Sequence, residues 1–144
     1  MNNLIVKTIN PYKNLIKVEE LLIQLNPDKE EKYIQQIIEQ MNTFKNYKCF
    51  GLYENDKIIG ISSGWTSMRI YCGKQLELDN VIIDEKLQSK GLGTIFFNKI
   101  EEWALHKGYQ SINLNTYVSN SRSHKFYFNQ GFKILGFHFQ KLIK

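Results

Sequence analysis

The spacing of apolar residues changes several times along the chain, and the changes mark out its elements. A short strand-like run around Leu4 and Val6 comes first. Over residues 11–25, Leu15, Ile16, Val18, Leu21, Leu22 and Leu25 then fall near helical spacing. The Asn26-Pro27-Asp28 turn opens a second helical stretch, in which Tyr33, Ile34, Ile37, Ile38 and Met41 recur at i, i+3 or i+4 with Glu and Lys between them. Both predicted helices are amphipathic and need a flat apolar surface to lie on.

The pattern then turns strand-like. Residues 47–53 and 58–63 read as a hairpin across the turn Glu54-Asn55-Asp56-Lys57. Residues 65–71 read as a third strand, followed by a turn at Cys72-Gly73-Lys74. Residues 75–83 begin as an alternation and end in the apolar run Val81-Ile82-Ile83, which suits a strand covered on both faces. Residues 91–107 carry the clearest helical stripe, made of Leu92, Ile95, Phe96, Ile100, Trp103 and Ala104, and His106-Lys107-Gly108 supplies cations and a glycine at its end. Residues 111–118 read as a strand parallel to 75–83 across a right-handed helical crossover. A short helix over 120–130 ends at Gly131, and residues 132–142 close the chain as an aromatic-rich strand. The predicted order is β-α-α-β-β-β-α-β-α-β, an α/β chain with a central mixed sheet and helices on both faces.

At 144 residues the chain has the length of one domain, spanning 1–144, with a core that needs no disulfide or structural metal. No apolar run approaches the roughly 18 residues that span a bilayer, and the first residues show no basic stretch followed by a long apolar one, so export is not expected. Cys49 and Cys72 form no C-x-x-C pair and the three histidines have no zinc spacing, so a reduced cytoplasmic protein without a metal is expected. The net charge of +5 is unevenly placed. Residues 1–80 balance, whereas residues 81–144 hold nine basic and four acidic side chains, which is the whole excess. A basic half suits a nucleic acid, a polyanionic small ligand, or plain solvation. No run of three or more basic residues and no single-strand motif supports the first.

The segment from Val81 to Thr94 couples a buried strand end to a helix through a loop that closes on Gly91-Leu92-Gly93. The first N–H groups of a helix have no intrahelical partner, and the helix dipole adds positive charge there. Glycines remove the Cβ atoms that would hold a phosphate away, and Lys90 adds a cation. A phosphate or pyrophosphate suits such a loop. It is not a dinucleotide fingerprint, because Phe96 stands where a third small residue is needed and no carboxylate follows over 110–118. It is not a P-loop either, since no Gly-Lys-Ser/Thr occurs.

Two landmarks in order carry a family resemblance. Gln88-x-x-Gly91-x-Gly93, between an apolar strand end and an amphipathic helix, resembles motif A of the GNAT N-acetyltransferases. The run from Asn120 through Tyr127 to Gly131-Phe132 resembles the family's second landmark. The resemblance extends to the element order of nearly the whole chain and is most specific over residues 76–132. It implies a GNAT fold and acetyl-CoA, without a metal, as the donor of an acetyl group to a primary amine in a ternary complex. Main-chain groups of Val81, Ile82 and Ile83 would then pair with the pantetheine arm. The loop Gln88, Ser89, Lys90, Gly91, Leu92, Gly93 and Thr94 would hold the pyrophosphate. Asn120 matches a cofactor-contacting position and is also a favoured helix N-cap.

By the same resemblance Tyr127 donates a proton to the departing thiolate, and a phenol is a feasible donor. Glu77 matches a glutamate that serves as base in some members, with Asp79 as the fallback. Strand alternation puts Glu77, Asp79 and Val81 on one face unless a bulge resets the phase. In the ribosomal-protein acetylating branch the base falls at the position of Asn115, which cannot act as one. By fold analogy the stretch 65–69 lines the acceptor side. No cysteine matches a catalytic position, so no acyl-enzyme is expected. The acceptor, a small molecule or a protein amine, is left undetermined, and a homodimer is left open; nucleic acid and membrane are not expected partners. The rival reading is a non-catalytic acyl-CoA-binding or regulatory module on the same fold.

Overall fold

The computed structural model describes residues 3–88 and 90–144. It divides into two compact units, Met1–Asn113 and Leu114–Lys144. The chain runs β1 (Leu4–Ile9), α1 (Leu15–Leu25), α2 (Glu31–Met41), β2 (Tyr47–Glu54), β3 (Lys57–Arg69), β4 (Gly73–Ile83), a one-turn 3₁₀ helix (Glu85–Leu87), α3 (Leu92–His106), β5 (Ser111–Leu114) and α4 (Ser121–Asn129). The five strands lie side by side in chain order. β1 to β4 form an antiparallel meander. The connection from β4 to β5 runs through α3, the kind of crossover that parallel neighbours need, so the sheet is mixed as expected.

Each face of the sheet buries one part of the apolar pattern. On one face Val18, Leu21 and Leu22 of α1 and Ile34 and Ile38 of α2 pack with Ile58, Ile61 and Ile82. On the other, α3 packs against β1 and β4 and buries Leu92, Phe96, Phe97, Ile100 and Ala104. Phe50 meets Trp103 edge to face, with ring centroids 4.8 Å apart. Helices therefore lie on both faces, as the two amphipathic stretches and the α3 stripe require.

Four boundaries differ from the predicted ones. Residues 11–14 form a turn ahead of α1, because the Asn10 side chain accepts the Tyr12 N–H at 2.9 Å and the Asn14 amide bonds the Asn10 carbonyl at 3.2 Å. Residues 58–63 and 65–71 belong to one thirteen-residue strand. The glycine between them, Gly64, does not interrupt it: a Cβ there would come within 2.7 Å of the Phe50 ring and 3.0 Å of Leu76, so this glycine admits core side chains. β5 stops at Leu114 rather than reaching Val118; Tyr117 and Val118 are exposed, and a turn begins at Val118. Residues 132–142 form no strand. Their aromatic alternation supplies strand-like side chains, but a strand exists only where its backbone pairs with a neighbouring strand; the Phe132 N–H instead donates to the Tyr127 carbonyl at 3.0 Å.

The end of β4 is tied to α1 by a charged network. Asp84 is 5% exposed, accepts Lys17 Nζ at 2.9 Å, Gln24 Nε2 at 3.3 Å and the Lys86 N–H at 3.2 Å, and so caps the 3₁₀ turn. Gln24 returns a bond by accepting the Glu85 N–H at 2.9 Å. The hydrogen bond from Lys17 holds the Asp84 carboxyl below the usual carboxylate range. A group depressed in the folded state stabilises it above its unfolded pKa and loses that contribution as pH falls through the folded value. Asp84→Asn is therefore expected to destabilise the fold by about 1–3 kcal/mol at pH 7. In urea titrations the gap to the wild type should narrow as pH drops below about 4; a gap that is constant with pH would contradict the ion-pair account.

Candidate active site

β4 changes phase in its middle. Asp79 stands opposite Ser63 and Ile82 opposite Ile61, so Asn80 and Val81 together oppose the single residue Ser62. That is a β-bulge. Asn80 takes φ +51, a left-handed conformation that Asn tolerates better than most residues. Both oxygens of the Asp79 carboxylate engage Asn80: Oδ1 accepts its N–H at 2.9 Å and Oδ2 its side-chain amide at 3.3 Å. The bulge returns Ile82 to the face of Glu77 and Asp79 and turns Val81 to the opposite one. Unbroken alternation, which would group Val81 with Glu77 and Asp79, does not hold.

Registered cross-strand neighbours share a face. Tyr47, Trp65 and Glu77 form one such row across β2, β3 and β4, and Cys49, Ser63 and Asp79 form the next. On this face α1 and α2 cover the apolar end at Ile58, Ile61 and Ile82. The two rows continue the same face as a polar and aromatic strip. Trp65 lies between Phe44 and Tyr47, at centroid distances of 5.7 and 4.9 Å. The Tyr47 hydroxyl is 3.5 Å from Ser63 Oγ, and burial pushes its phenol well above the usual range. Burial likewise raises the Cys49 thiol, to about 11. The strip holds two carboxylates, Glu77 half-buried and Asp79 exposed, and no cation. Of the stretch 65–69, Trp65, Ser67 and the exposed Arg69 share the Glu77 face; the Thr66 hydroxyl bonds Tyr109 instead, and Met68 is exposed.

Beyond Ile83 the loop folds back on the strand. Gln88 Nε2 donates to the Ile83 carbonyl at 2.9 Å, so this side chain shapes the loop. Ser89 lies outside the described residues. Lys90 is exposed, and Gly91 is the N-cap of α3 at φ +73, a conformation that favours glycine. Gly91 has no side chain with which to cap this helix, and among the described residues a Cβ added at Gly91 would meet nothing within 4 Å. The helix therefore begins at Leu92 and Gly93 with an open approach to Gly91, as an anionic group requires. β5 has four residues against eleven in β4, so it can pair with only part of that strand's length. These features fit an extended, phosphate-bearing molecule beside Val81–Ile83 and the Gly91 turn.

In the second unit, Asn120 caps α4 by accepting the Ser123 N–H at 3.2 Å, which realises the capping role open to it from sequence. Tyr127 is half-buried between Phe126 and Phe132, at centroid distances of 5.6 and 5.7 Å. Burial raises its phenol, which favours the protonated form. His124 Nε2 lies 2.9 Å from the Tyr117 carbonyl.

The first unit carries two cavities. One of about 510 Å³ borders Tyr53, Lys57 and the Lys17–Asp84 pair. One of about 300 Å³ is lined by Lys48, Lys74 and Lys107 with Trp103 and Tyr109. Neither contains Glu77, Asp79 or Gly91. Among the described residues no group of three His, Cys, Asp or Glu could hold a metal ion, and no helix is long and apolar enough to cross a membrane.

Sequence reasoning missed Asn80 as the bulge residue and Tyr47 and Ser63 as parts of the strip. The signals were present: Asp79-Asn80 is an unfavourable dipeptide for a strand interior, and Ser63 is a polar residue where alternation calls for an inward side chain.

The family model for the Acetyltransferase (GNAT) family matches residues 15–132. The chain belongs to this family, and it is an N-acetyltransferase that uses acetyl-CoA as its donor. The fold is similar to that of an aminoglycoside N-acetyltransferase, AAC(6')-Iy in complex with CoA, with a TM-score of 0.81 and 15% identity over 100% of this chain and 97% of that one. It is also similar to a GNAT family acetyltransferase of Staphylococcus aureus (TM-score 0.78, 19% identity, 99% and 100% covered). A third similar structure is glucosamine-6-phosphate N-acetyltransferase from Arabidopsis thaliana (TM-score 0.70, 17% identity, 99% of each chain). No curated protein sequence matches the chain.

The environments of the two thiols bear on whether either carries the acyl group. With its thiol at about 11, Cys49 is about one part in a thousand thiolate at pH 8 and is buried besides. Cys72 is half-buried. Titration with a disulfide reagent at pH 8 should modify Cys72 readily and Cys49 only on unfolding; rapid modification of both would contradict the placement of Cys49.

Proposed function

We propose that the acceptor is a cationic primary amine held on the Trp65–Glu77 strip, and that Glu77 and Tyr127 manage its protons. The observation that carries this reading is the row Tyr47–Trp65–Glu77, which sets a carboxylate beside an aromatic ring on the face that continues past the α1–α2 core. An ammonium ion is favoured by both a carboxylate and an aromatic face. The Asp79 carboxylate braces the bulge at Asn80, which leaves Glu77 as the base.

Acetyl-CoA supplies the activated acetyl group, which the amine attacks directly in a ternary complex. Glu77 accepts the proton that the amine loses. Tyr127, kept protonated by burial, donates its hydroxyl hydrogen to the departing sulfur. Main-chain groups of Val81, Ile82 and Ile83 hold the pantetheine arm, and the loop from Gln88 through Ser89, Lys90, Gly91, Leu92 and Gly93 to Thr94 holds the pyrophosphate. Asn120 donates from its amide NH₂ to the same molecule while its oxygen caps α4. The relatives named for aminoglycosides, among them one in complex with sisomicin, support a polycationic acceptor. The reaction belongs to the cytoplasm, where acetyl-CoA is available and the free thiols of Cys49 and Cys72 stay reduced.

Thiol release from acetyl-CoA across an amine panel tests this reading. Polycationic amines should be turned over, and anionic amino acids should not. Tyr127→Phe should lower kcat by roughly tenfold or more with acetyl-CoA affinity unchanged. Unchanged kcat would remove Tyr127 from the reaction, and acetyl-CoA binding without turnover of any amine would favour a sensing role.

A further inference from the structure

The cavity of about 300 Å³ gathers charge of one sign. Its walls are Thr8, Lys48, Lys74, Trp103, Lys107 and Tyr109: three ammonium groups, one hydroxyl, two rings and no carboxylate. Among the described residues, none of the three lysines forms an ion pair. Like charges around one small space repel each other, and no acid on these walls offsets them.

The sheet and α3 hold the lysines there. Lys48 shares the face of Phe50 on β2, and its Nζ lies 5.9 Å from the centre of the Trp103 ring on α3. Lys74 opens β4; its Nζ lies 4.3 Å from the centre of the Tyr109 ring and donates to the Lys107 carbonyl at 3.1 Å. Tyr109 is itself fixed. It is 7% exposed, its hydroxyl is 2.5 Å from Thr66 Oγ1, and the next residue, Gln110, donates its N–H to the Lys74 carbonyl at 2.8 Å. Rings that keep ammonium groups in place remove rotamer freedom before any ligand arrives. The negative end of the α3 dipole opposes an anion here, and the bond from Lys74 to the Lys107 carbonyl offsets it.

We propose that this cavity binds the phosphate of a small phosphomonoester, as a second ligand site of the protein. Lysine meets a phosphate as a point charge, whereas a planar carboxylate is matched by the fork of an arginine, and the walls hold three lysines and no arginine. The Thr8 hydroxyl adds a neutral donor. The volume stands at the lower end of small-molecule sites, which run from about 300 to 1,000 Å³. A nucleic-acid backbone would need a stripe of cations, and these three converge on one space. The site is also separate from the Gly91 turn. Fifteen residues of α3 lie between them, about 22 Å at 1.5 Å per residue. None of its walls has a part in acetyl transfer, so this site stands or falls apart from the reading of the acceptor.

Backbone and indole N–H NMR of the full chain, titrated with glycerol 2-phosphate at low ionic strength, tests the proposal. Saturable shifts are expected at Lys74, Lys107, Tyr109 and the Trp103 indole, with half-saturation below about 1 mM. The double variant Lys48→Gln/Lys107→Gln should raise the half-saturation concentration at least about tenfold. Lys32→Gln, at an exposed position of α2, should leave it unchanged. If the double variant fails to fold, Lys107→Gln alone, at an exposed side chain, should raise it about threefold. No saturation by about 10 mM would overturn the proposal. Equal weakening by Lys32→Gln would also overturn it, since the binding would then be to diffuse surface charge. So would citrate binding more tightly than the phosphomonoester, which would make this a carboxylate site. Shifts confined to Lys90–Thr94 would place the phosphate at the other end of α3 and overturn it too.

Discussion

Two residues of β4, Asn80 and Val81, stand opposite one residue of β3, and the Asp79 carboxylate closes on Asn80 to keep them there. A strand has a side-chain period of two, so one extra residue decides the face of every residue after it. Ahead of the bulge, Glu77 and Asp79 point to the α1–α2 side; beyond it, Ile82 must reach the same side to fill the core between α1 and β3. Without the extra residue, either Ile82 would leave that core or the two carboxylates would turn into the apolar layer under α3. The bulge lets one strand carry a polar half and an apolar half on the same face.

The position of the Gly91 loop follows from the same strand. β4 must end where the Asp84 network anchors it to α1, and Gln88 folds the loop back onto the last carbonyl of the strand. The left-handed turn at Gly91 then starts α3, whose packing under the sheet through Phe96 and Ile100 fixes the direction of its first turn. A rigid helix aimed by its own core contacts offers amide groups that need no rearrangement to meet an anion. The tie between Asp84 and Lys17 thus contributes to stability and to the placement of the loop alike.

Much of this was legible in the sequence because it depends on local rules. The α3 stripe, the Gly91 turn, the Asn120 cap and the apolar end of β4 each have a mechanism that acts within a few residues. What was not legible depends on distant partners. Gly64 reads as a break in a strand, and only the Phe50 ring packed against it shows why a glycine stands inside a continuous one. Residues 132–142 have strand composition, yet pairing depends on an edge that composition does not contain. The phase change at Asn80 left a local trace in an Asp-Asn pair within a strand, but its consequence for Val81 needed the register with β3. The row Tyr47–Trp65–Glu77 draws one residue from each of three strands, and sequence spacing cannot assemble it.

The central claim is that the end of β4 and the start of α3 bind acetyl-CoA. Backbone amide NMR of the full chain during a titration with coenzyme A tests it most directly. The account predicts that the largest shifts fall at Val81–Ile83 and at Lys90–Thr94. Shifts confined to the lysine-lined cavity of Lys48, Lys74 and Lys107, or none at millimolar coenzyme A, would contradict it.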